Sequence, residues 1–176
     1  MVSFKKTVQN NFKFCSCCGT KFIYKKIHGS SELYCPKCGF IFWQNSKPTA
    51  SGLLIKDRQV LLTKRGITPL KGYWDAPGGF LNFHEKPEIG MARELKEELG
   101  IKIFQPKLLG IHLGEYLSQQ PQSTFNLYYI IKKWTGTLKP ADDVVGYKWF
   151  KINQLPKKLA FANNKQALKD LQKLLG

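Results

Sequence analysis

The sequence is poor in acidic residues and has no long apolar run. Its 176 residues include 12 Asp and Glu against 28 Lys and Arg, so the formal net charge is +16. No stretch reaches the about 18 apolar residues that a membrane-spanning helix needs, and we therefore expect no membrane span. The hydrophobic fraction of 43% is enough for a folded core and excludes a globally disordered chain. The positive charge favours phosphate-rich partners such as nucleotides, RNA or DNA, but it does not distinguish between them.

The start of the chain lacks the features of a secretory signal. Positions 1–14 are polar and basic, with neither an apolar h-region nor a small-residue cleavage site, so we expect a cytoplasmic protein. Cysteine is absent after position 38, and all five cysteines fall in the first quarter of the chain. This clustering argues against disulfides spread over a secreted scaffold and favours a local metal site.

The cysteines form two similar short motifs. Cys15 and Cys18, and then Cys35 and Cys38, each belong to a C-x-x-C-G sequence, and sixteen residues separate the two pairs. A tight turn directs both thiolates of such a motif to one point, and four thiolates complete the tetrahedral shell of zinc. We interpret these four cysteines as ligands of one structural Zn²⁺, which leaves no open position for catalysis. Cys17 is the extra cysteine and could replace Cys15 or Cys18 as a ligand, but the symmetric spacing favours Cys15 and Cys18. A set of reduced or redox-active cysteines is the alternative to a zinc site.

Composition divides the chain into four segments. Residues 1–11 have the composition of a flexible basic tail, residues 12–44 form a predicted zinc ribbon, and residues 45–48 are polar and end in proline, as a linker does. Residues 49–176 then show the apolar periodicity of strands and helices. We expect one larger domain there, preceded by the small ribbon.

Strands and two helices make up the larger segment. Pro87 suits the first turn of a helix and Gly100 suits its end, so a helix is predicted over Pro87–Leu99. A second helix, with leucines along one face, is predicted at the C-terminus. The predicted strands cover residues 49–55, 59–64, 101–113, 124–134 and 145–150, and the leucines of the second helix are Leu168, Leu171, Leu174 and Leu175. Strands and helices mixed in this way favour a layered α/β or α+β domain.

The helix predicted over Pro87–Leu99 concentrates negative charge in a basic chain. Glu94, Glu97 and Glu98 are spaced i, i+3 and i+4, so their side chains project from one side of the helix. Like charges at such spacings cost about 0.2–0.5 kcal/mol per pair. A bound divalent cation removes this cost, and carboxylates suit Mg²⁺ where a substrate phosphate completes the shell. A solvated acidic helix face is the alternative.

A longer pattern around these glutamates carries a family resemblance. Gly79, Glu85 and the run from Arg93 to Ile101 match G-x5-E-x7-R-E-U-x-E-E-x-G-U, where U is aliphatic, at every position. Over residues 48–176 the chain therefore resembles a Nudix hydrolase. With the cysteine segment in front, it is similar to the NADH pyrophosphatase-like and ADP-ribose pyrophosphatase-like Nudix proteins that carry a zinc ribbon.

The resemblance implies an α/β/α sandwich and an enzyme. The implied reaction is Mg²⁺- or Mn²⁺-dependent hydrolysis of the diphosphate bond in a nucleoside diphosphate linked to another moiety, such as ADP-ribose or NADH. Metal ions neutralise the charge of a diphosphate and activate a water for attack on phosphorus. By position, the implied metal ligands are the carboxylates of Glu94, Glu97 and Glu98 and the backbone carbonyl of Gly79. Arg93 and Glu85 are implied to orient these carboxylates, one of which, or a metal-bound hydroxide, is the implied base.

Further residues are candidates for substrate contacts. Arg65 ends a predicted strand and could meet phosphate, while Trp74, Phe80 and Tyr116 could stack on a base, although each also suits an ordinary strand or core position. The expected partner is a nucleotide-type small molecule. An RNA-directed decapping hydrolase is a second reading, because it would use both the charge and the ribbon. The third is a nucleic-acid-binding or regulatory protein whose Nudix domain senses a ligand. A homodimer is compatible with each of these readings.

Overall fold

The chain folds into a small N-terminal sheet and a larger sandwich. The computed structural model describes residue 9, residues 11–117 and residues 121–175. The tail predicted over 1–11 lies almost wholly outside these described residues. In chain order the elements are β1 Ile23–Ile27, β2 Ser30–Tyr34, β3 Ile41–Phe42, β4 Lys47–Lys56, β5 Gln59–Arg65, β6 Trp74–Asp75, β7 Gly78–Phe80, α1 Pro87–Leu99, β8 Lys102–Phe104, β9 Lys107–Tyr116, β10 Gln122–Ile131, β11 Lys133–Thr135, β12 Val144–Lys151 and α2 Ala162–Leu175.

The small sheet is built beside the cysteines. β1, β2 and β3 pair in that order, and both pairings are antiparallel. Leu33 of β2 packs with Phe22, Cys15 and Cys35 in a core of its own. A core of this size contributes little stability by burial alone, which is why modules of this size usually depend on a metal or disulfides.

The larger sheet is mixed, and its main strands run in the order β12-β5-β4-β10-β9. β4 pairs parallel with β10 and antiparallel with β5, while the short strands β6 and β7 pair with β5 and β4. β4 and β5 form a hairpin whose turn residues, Asp57 and Arg58, both have positive φ. That turn geometry matches the twist of the two strands.

The large sheet buries a different core on each face. Successive residues of a strand point to opposite faces, and Leu53 and Leu54 of β4 accordingly join separate clusters. One cluster includes Leu95 of α1, and the other includes Leu168 of α2. The two helices therefore cover opposite faces, which confirms the predicted α/β/α sandwich. Within the described residues, no helix is long and apolar enough to cross a membrane.

The helix α1 has the predicted bounds. Pro87 occupies its first turn, and Gly100 ends it at a φ of 71°, where the Gly100 N–H donates to the carbonyl of Lys96 at 3.0 Å. Glycine adopts this left-handed conformation without steric cost. The buried side of α1 includes Glu98 together with apolar residues, although a charged side chain is costly to bury.

Two long predicted strands are interrupted in the structure. The strand predicted over 101–113 is wrong as one element, because Gln105 has a φ of 50° and Pro106 has no N–H, which separates β8 from β9. The strand predicted over 124–134 divides into β10 and β11, and β11 pairs with β8 outside the large sheet. The predicted apolar face of the second helix is only partly right, since Leu174 is 61% exposed.

Candidate active site and metal centre

The four predicted zinc ligands lie together. The Sγ atoms of Cys15, Cys18, Cys35 and Cys38 are all within 4.8 Å of one another. The Cys18 sulfur is 3.4 Å from that of Cys35 and 3.5 Å from that of Cys38. Four sulfurs at a Zn–S distance of about 2.3 Å in a tetrahedral shell are about 3.8 Å apart, so the cluster is compatible with zinc. Cys17 is exposed and lies outside the group.

The backbone of each cysteine motif produces this convergence. Gly19 and Gly39 follow the second cysteine of each motif, and both have positive φ. Their N–H groups donate to the carbonyls of Cys15 and Cys35, at 2.8 Å and 3.0 Å. Hydrogen bonds with the side chain and backbone of the following threonine lower the pKa of Cys18 to about 6. The lowered pKa favours the thiolate, which is the form that binds metal.

The predicted Mg²⁺ ligands on α1 do not lie together in the same way. Nη1 of Arg93 donates to the carboxylates of Glu94 and Glu97, at 2.8 Å and 2.9 Å. Its Nε and Nη2 donate to the two carboxylate oxygens of Glu85, at 2.9 Å and 3.1 Å, and this pairing lowers the pKa of Glu85. Across the described residues, only the cysteines bring three or more potential metal-ligating atoms within 4.8 Å of one another. Arg93 thus offsets the like-charge repulsion on the helix, and Glu85 holds Arg93 in place.

Glu98 occupies a different environment from the other two glutamates. It is 5% exposed, and it accepts a hydrogen bond from the N–H of Gly78 at 3.1 Å. Burial, together with the negative charges of Asp143 and Glu94, raises the pKa of Glu98 well above the usual range of a carboxyl. A buried carboxylate next to other carboxylates is costly unless a positive charge joins it. The donor set therefore fits a divalent cation, which would convert these repulsions into attractions.

The end of α1 brings Asp143 close to Glu98. The last carbonyls of a helix have no partner within the helix. Here Lys139 and Ala141 supply the missing donors, with N–H bonds to the carbonyls of Leu99 at 3.0 Å and of Glu98 at 2.9 Å. These bonds fix the loop that carries Asp143 against the acidic helix. Asp143 lies outside the glycine and glutamate pattern that begins at Gly79, so the sequence alone assigned it no role.

The strand β7 places two glycines against the acidic helix. Gly78 and Gly79 pair with Ser51 and Ala50 of β4. A Cβ at position 79 would lie 2.6 Å from the carboxyl carbon of Glu94. Glycine at this position leaves room for the carboxylate close to the backbone, and a side chain there would displace it. Burial raises the pKa of Glu94, and its hydrogen bond with a neighbouring arginine opposes that rise.

A cleft adjoins the acidic helix and includes Gly79 and Asp143 in its wall. Its volume is about 120 Å³, comparable with the about 150 Å³ that accommodates benzene, so it accepts a ring-sized group. Phe80 and Tyr116, two of the predicted stacking residues, line the cleft and pack edge-to-face with centroids 5.5 Å apart. Phe161 stacks on Tyr116 at 5.6 Å and extends this aromatic wall.

The other two predicted substrate contacts have different surroundings. Arg65 lines the cleft, but its Nη1 donates to Asp75 at 2.8 Å and its Nε donates to the carbonyl of Pro69 at 2.9 Å. The guanidinium is therefore held by the protein itself. Trp74 packs edge-to-face on Phe150, with centroids 4.9 Å apart, in the core that α2 covers, rather than lining the cleft. Asp75, the next residue of β6, lines the cleft instead, as strand alternation requires.

Sequence reasoning missed a buried polar network in the cleft. The hydroxyl of Tyr128 donates to Oδ1 of Asn164 at 2.8 Å and accepts from Nδ2 of Asn163 at 2.6 Å. The Asn164 amide also donates to the carboxylate of Asp75. These residues belong to β6, β10 and the start of α2, so only the fold brings them together. No local motif marks them in the sequence.

Comparison with known proteins assigns this architecture to one family. The family model for the NUDIX domain matches residues 46–171. An ADP-ribose pyrophosphatase from Methanocaldococcus jannaschii is 36% identical over 115 residues, covering 65% of this chain and 66% of that protein. A NAD-capped RNA hydrolase NudC from Stutzerimonas stutzeri is 24% identical over 148 residues, covering 82% of this chain and 50% of that protein. The matches thus span between half and two thirds of the length of these curated relatives.

Solved structures share the fold. The crystal structure of a NUDIX hydrolase from Nitrosomonas europaea is 27% identical, with a TM-score of 0.72 and 94% of each chain covered. A MutT NUDIX hydrolase from Burkholderia pseudomallei, at 24% identity, has a TM-score of 0.66 and covers 72% of this chain and 98% of its own. By sequence and by fold, then, the chain belongs to the Nudix family.

Proposed function

We propose that this protein hydrolyses the diphosphate bond of a nucleoside diphosphate linked to a further group, and that the reaction requires Mg²⁺ or Mn²⁺. ADP-ribose and NADH are the first substrates to consider, because a relative with 36% identity is an ADP-ribose pyrophosphatase and NADH contains the same kind of bond. The observation that carries the proposal is the buried carboxylate of Glu98 beside Asp143 and Glu94. Titratable groups with strongly shifted pKa values beside a cleft are typical of functional sites.

The proposed cation ligands are the carboxylates of Glu94, Glu97 and Glu98 and the backbone carbonyl of Gly79. When bound, the cation neutralises the diphosphate and activates a water for attack on phosphorus. Arg93 is a positioning residue in this proposal, because it donates to both Glu94 and Glu97 while Glu85 fixes its guanidinium. To bind the cation, the two carboxylates give up part of their hydrogen bonding to Arg93. The proposed site is therefore adjustable.

The cleft is proposed to hold the nucleoside end of the substrate. Phe80, Tyr116 and Phe161 offer aromatic surface for stacking on a base, and the volume of the cleft suits one ring system. Arg65 contributes indirectly in this proposal, because its ion pair fixes Asp75 and hence the polar network of the cleft. Trp74 is no longer proposed as a substrate contact, given its packing in the core.

The cysteine cluster is proposed to bind one structural Zn²⁺. Four thiolates fill a tetrahedral shell and leave no position for a water or a substrate. The chemistry is therefore assigned to α1 and β7, and the zinc is assigned to the stability of the β1–β3 sheet. Metal analysis of the purified protein tests this assignment, with about one zinc per chain as the expected result.

A hydrolysis assay on zinc-loaded protein tests the proposed reaction. The panel contains ADP-ribose, NADH, dinucleoside polyphosphates, nucleotide sugars, oxidised deoxynucleoside triphosphates and capped RNA, each with Mg²⁺, with Mn²⁺ and without either ion. We expect turnover of at least one nucleoside diphosphate derivative, and we expect it only when a divalent cation is present. Ligand binding without turnover of any substrate would contradict the proposal and favour a regulatory protein.

Capped RNA is the second candidate substrate class. The match to the NAD-capped RNA hydrolase spans 148 residues of the 176, which is more than residues 46–176 contain. The match therefore extends into the cysteine-bearing segment. The net charge of +16 also favours a polyanionic substrate. Cap removal in the assay, together with RNA affinity that falls steeply with salt concentration, would favour this class over the small dinucleotides.

A further inference from the structure

A groove separate from the cleft lies where the ribbon meets the sandwich. Its volume is about 510 Å³, within the about 300–1,000 Å³ of typical ligand sites. Aromatic rings, prolines and side-chain amides form its described wall, and Lys47 is the only charged residue there. Its principal members are Phe12, Phe42, Trp43, Gln44, Lys47 and Pro121.

The rings of this groove are available to a ligand. Phe12 and Trp43 are 41% and 48% exposed, and Phe12 packs on Phe42 with centroids 4.4 Å apart. The Oε1 atom of Gln44 is buried and, within the described part of the chain, has no hydrogen-bond partner. Exposed rings beside a lysine are also the elements that bind single-stranded nucleic acid.

One face of the large sheet connects the groove to the cleft. Lys47 of β4 lines the groove, and Thr49, two residues further along the same strand, lines the cleft. On the paired strand β10, Gln122 lines the groove and Thr124 lines the cleft. Thr124 pairs with Lys47 in the sheet. Residues two apart in a strand point to the same face and are about 7 Å apart. Pro48, which points to the opposite face, also lines the groove. The groove therefore lies at the end of these two strands, one step along the sheet from the cleft.

We propose that the groove binds the RNA nucleotide on the 3′ side of the one that carries the cleaved diphosphate, so that the substrates of this enzyme include capped single-stranded RNA. The inference rests on the proposed function, because it takes the acidic helix and the cleft as the place of cleavage. A free dinucleotide places one base in the cleft and does not extend into the groove. An RNA chain continues along the sheet face into the groove, where a base stacks on Trp43 and Lys47 binds a phosphate.

Kinetics of a groove variant test this inference in the full zinc-loaded chain. The substrates are a short NAD-capped RNA and free NAD, and the variant is Trp43→Ala. Loss of one base–aromatic stack predicts a KM for the RNA that is higher by about tenfold, with the KM and kcat for free NAD unchanged. The matched control is Phe104→Ala, because this ring is 39% exposed, lies 5.6 Å from the ammonium of Lys102 and is not part of the groove. An unchanged KM for the RNA, or an equal change with both substrates, would overturn the inference.

A binding measurement separates this inference from the proposed function. RNA affinity is measured by fluorescence anisotropy in a Glu98→Gln background, with and without Trp43→Ala, so that no turnover is needed. We expect Trp43→Ala to weaken RNA binding by about tenfold. If the wild type hydrolyses no substrate but Trp43 still contributes to RNA affinity, the proposed function fails and the groove remains. If the wild type hydrolyses ADP-ribose and Trp43 contributes nothing to RNA affinity, the groove assignment fails alone.

A second groove variant tests the proposal independently of any effect of Trp43→Ala on folding. Lys47→Gln retains a polar side chain, one atom shorter than lysine, and removes the charge that we assign to a phosphate contact. It should reduce the slope of log affinity against log salt by about 0.7, the value for one phosphate contact to a single strand. An unchanged slope would remove the phosphate contact from the proposal.

Discussion

The cysteine cluster and the glutamate helix are both proposed metal sites, but they are built in opposite ways. The four sulfurs already lie within 4.8 Å of one another, because two glycine-terminated turns direct them inward. The carboxylates of Glu94 and Glu97 instead bind Arg93, while Glu98 binds a backbone N–H of β7. Ionised carboxylates repel one another at close range, and an arginine relieves that repulsion. Neutral thiols carry no charge, so the cysteines need no such partner.

This contrast separates a structural role from a catalytic one. A site fixed by backbone turns is suited to hold one ion permanently and to add its binding energy to folding. A site of side chains balanced by an arginine is suited to bind and release an ion together with a substrate. Three substitutions and the addition of Mg²⁺ test the contrast, with expected effects that decrease from the first to the last.

The largest effect is expected at the cysteines. Cys35→Ser removes a fully buried ligand, so zinc content should fall from about one ion per chain to nearly none. The β1–β3 sheet should then lose its protection from hydrogen exchange, because zinc binding contributes about 10–16 kcal/mol in comparable peptides. Cys17→Ser is the matched control and should retain zinc, since Cys17 is exposed and outside the cluster. Full zinc retention by Cys35→Ser would show that the four sulfurs are not the ligands.

Glu98→Gln should remove activity and leave the fold intact. We expect kcat to fall by about a hundredfold or more, the loss typical when a group that stabilises transition-state charge is removed. The Tm should be unchanged or higher, because glutamine is cheaper to bury than a carboxylate. The control is Glu88→Gln on the same helix, where the side chain accepts a hydrogen bond from the hydroxyl of Tyr129. Near-normal cation-dependent turnover by Glu98→Gln would count decisively against the assignment.

Arg93→Lys tests the adjustable part of the glutamate site. A lysine keeps the charge but cannot reproduce the fork that contacts Glu85, Glu94 and Glu97 at once. We expect kcat/KM to fall by about tenfold to a hundredfold, with more Mg²⁺ needed for half-maximal rate. An unchanged Mg²⁺ dependence would show that Arg93 does not position the carboxylates.

The smallest expected effect is a pH-dependent stabilisation by Mg²⁺. The pKa of Glu98 is raised by burial and by Asp143, so the folded protein keeps a proton that the unfolded chain has already released above its carboxyl pKa of about 4.3. Without Mg²⁺, the free energy of unfolding therefore falls as pH rises from the unfolded pKa to the folded one. Mg²⁺ binds the ionised form, so its addition should raise the Tm more near neutral pH than near about pH 5. A Mg²⁺-induced shift in Tm that is the same at both pH values, or that persists in Glu98→Gln, would contradict this.

The elements marked by local chemistry were predictable from the sequence. Pro87 begins the helix α1 and Gly100 ends it, so its bounds follow from these two residues. The spacing of the cysteines sufficed for their convergence, because each turn is a local structure. The interruptions of two predicted strands were less visible, since the apolar pattern shows neither the positive φ of Gln105 nor the pairing of β8 with β11.

The parts of the site that depend on tertiary packing were not predictable. Asp143 reaches Glu98 through hydrogen bonds at the end of α1, and Asn163 reaches the cleft through the start of α2. Trp74 and Asp75 are neighbours in the sequence but lie on opposite sides of β6, which decides that the acid rather than the ring lines the cleft. Periodicity predicts that neighbours face opposite sides without showing which side is the functional one.

Direct measurement of Mn²⁺ binding is the sharpest test of the central claim, that the carboxylates of α1 hold a divalent cation. Free and bound Mn²⁺ can be counted by electron paramagnetic resonance on zinc-loaded protein, with no substrate or turnover required. We predict one class of Mn²⁺ site in the wild type and in Glu88→Gln, weakened at least about tenfold in Glu98→Gln. Equal Mn²⁺ affinity in all three proteins would contradict the account.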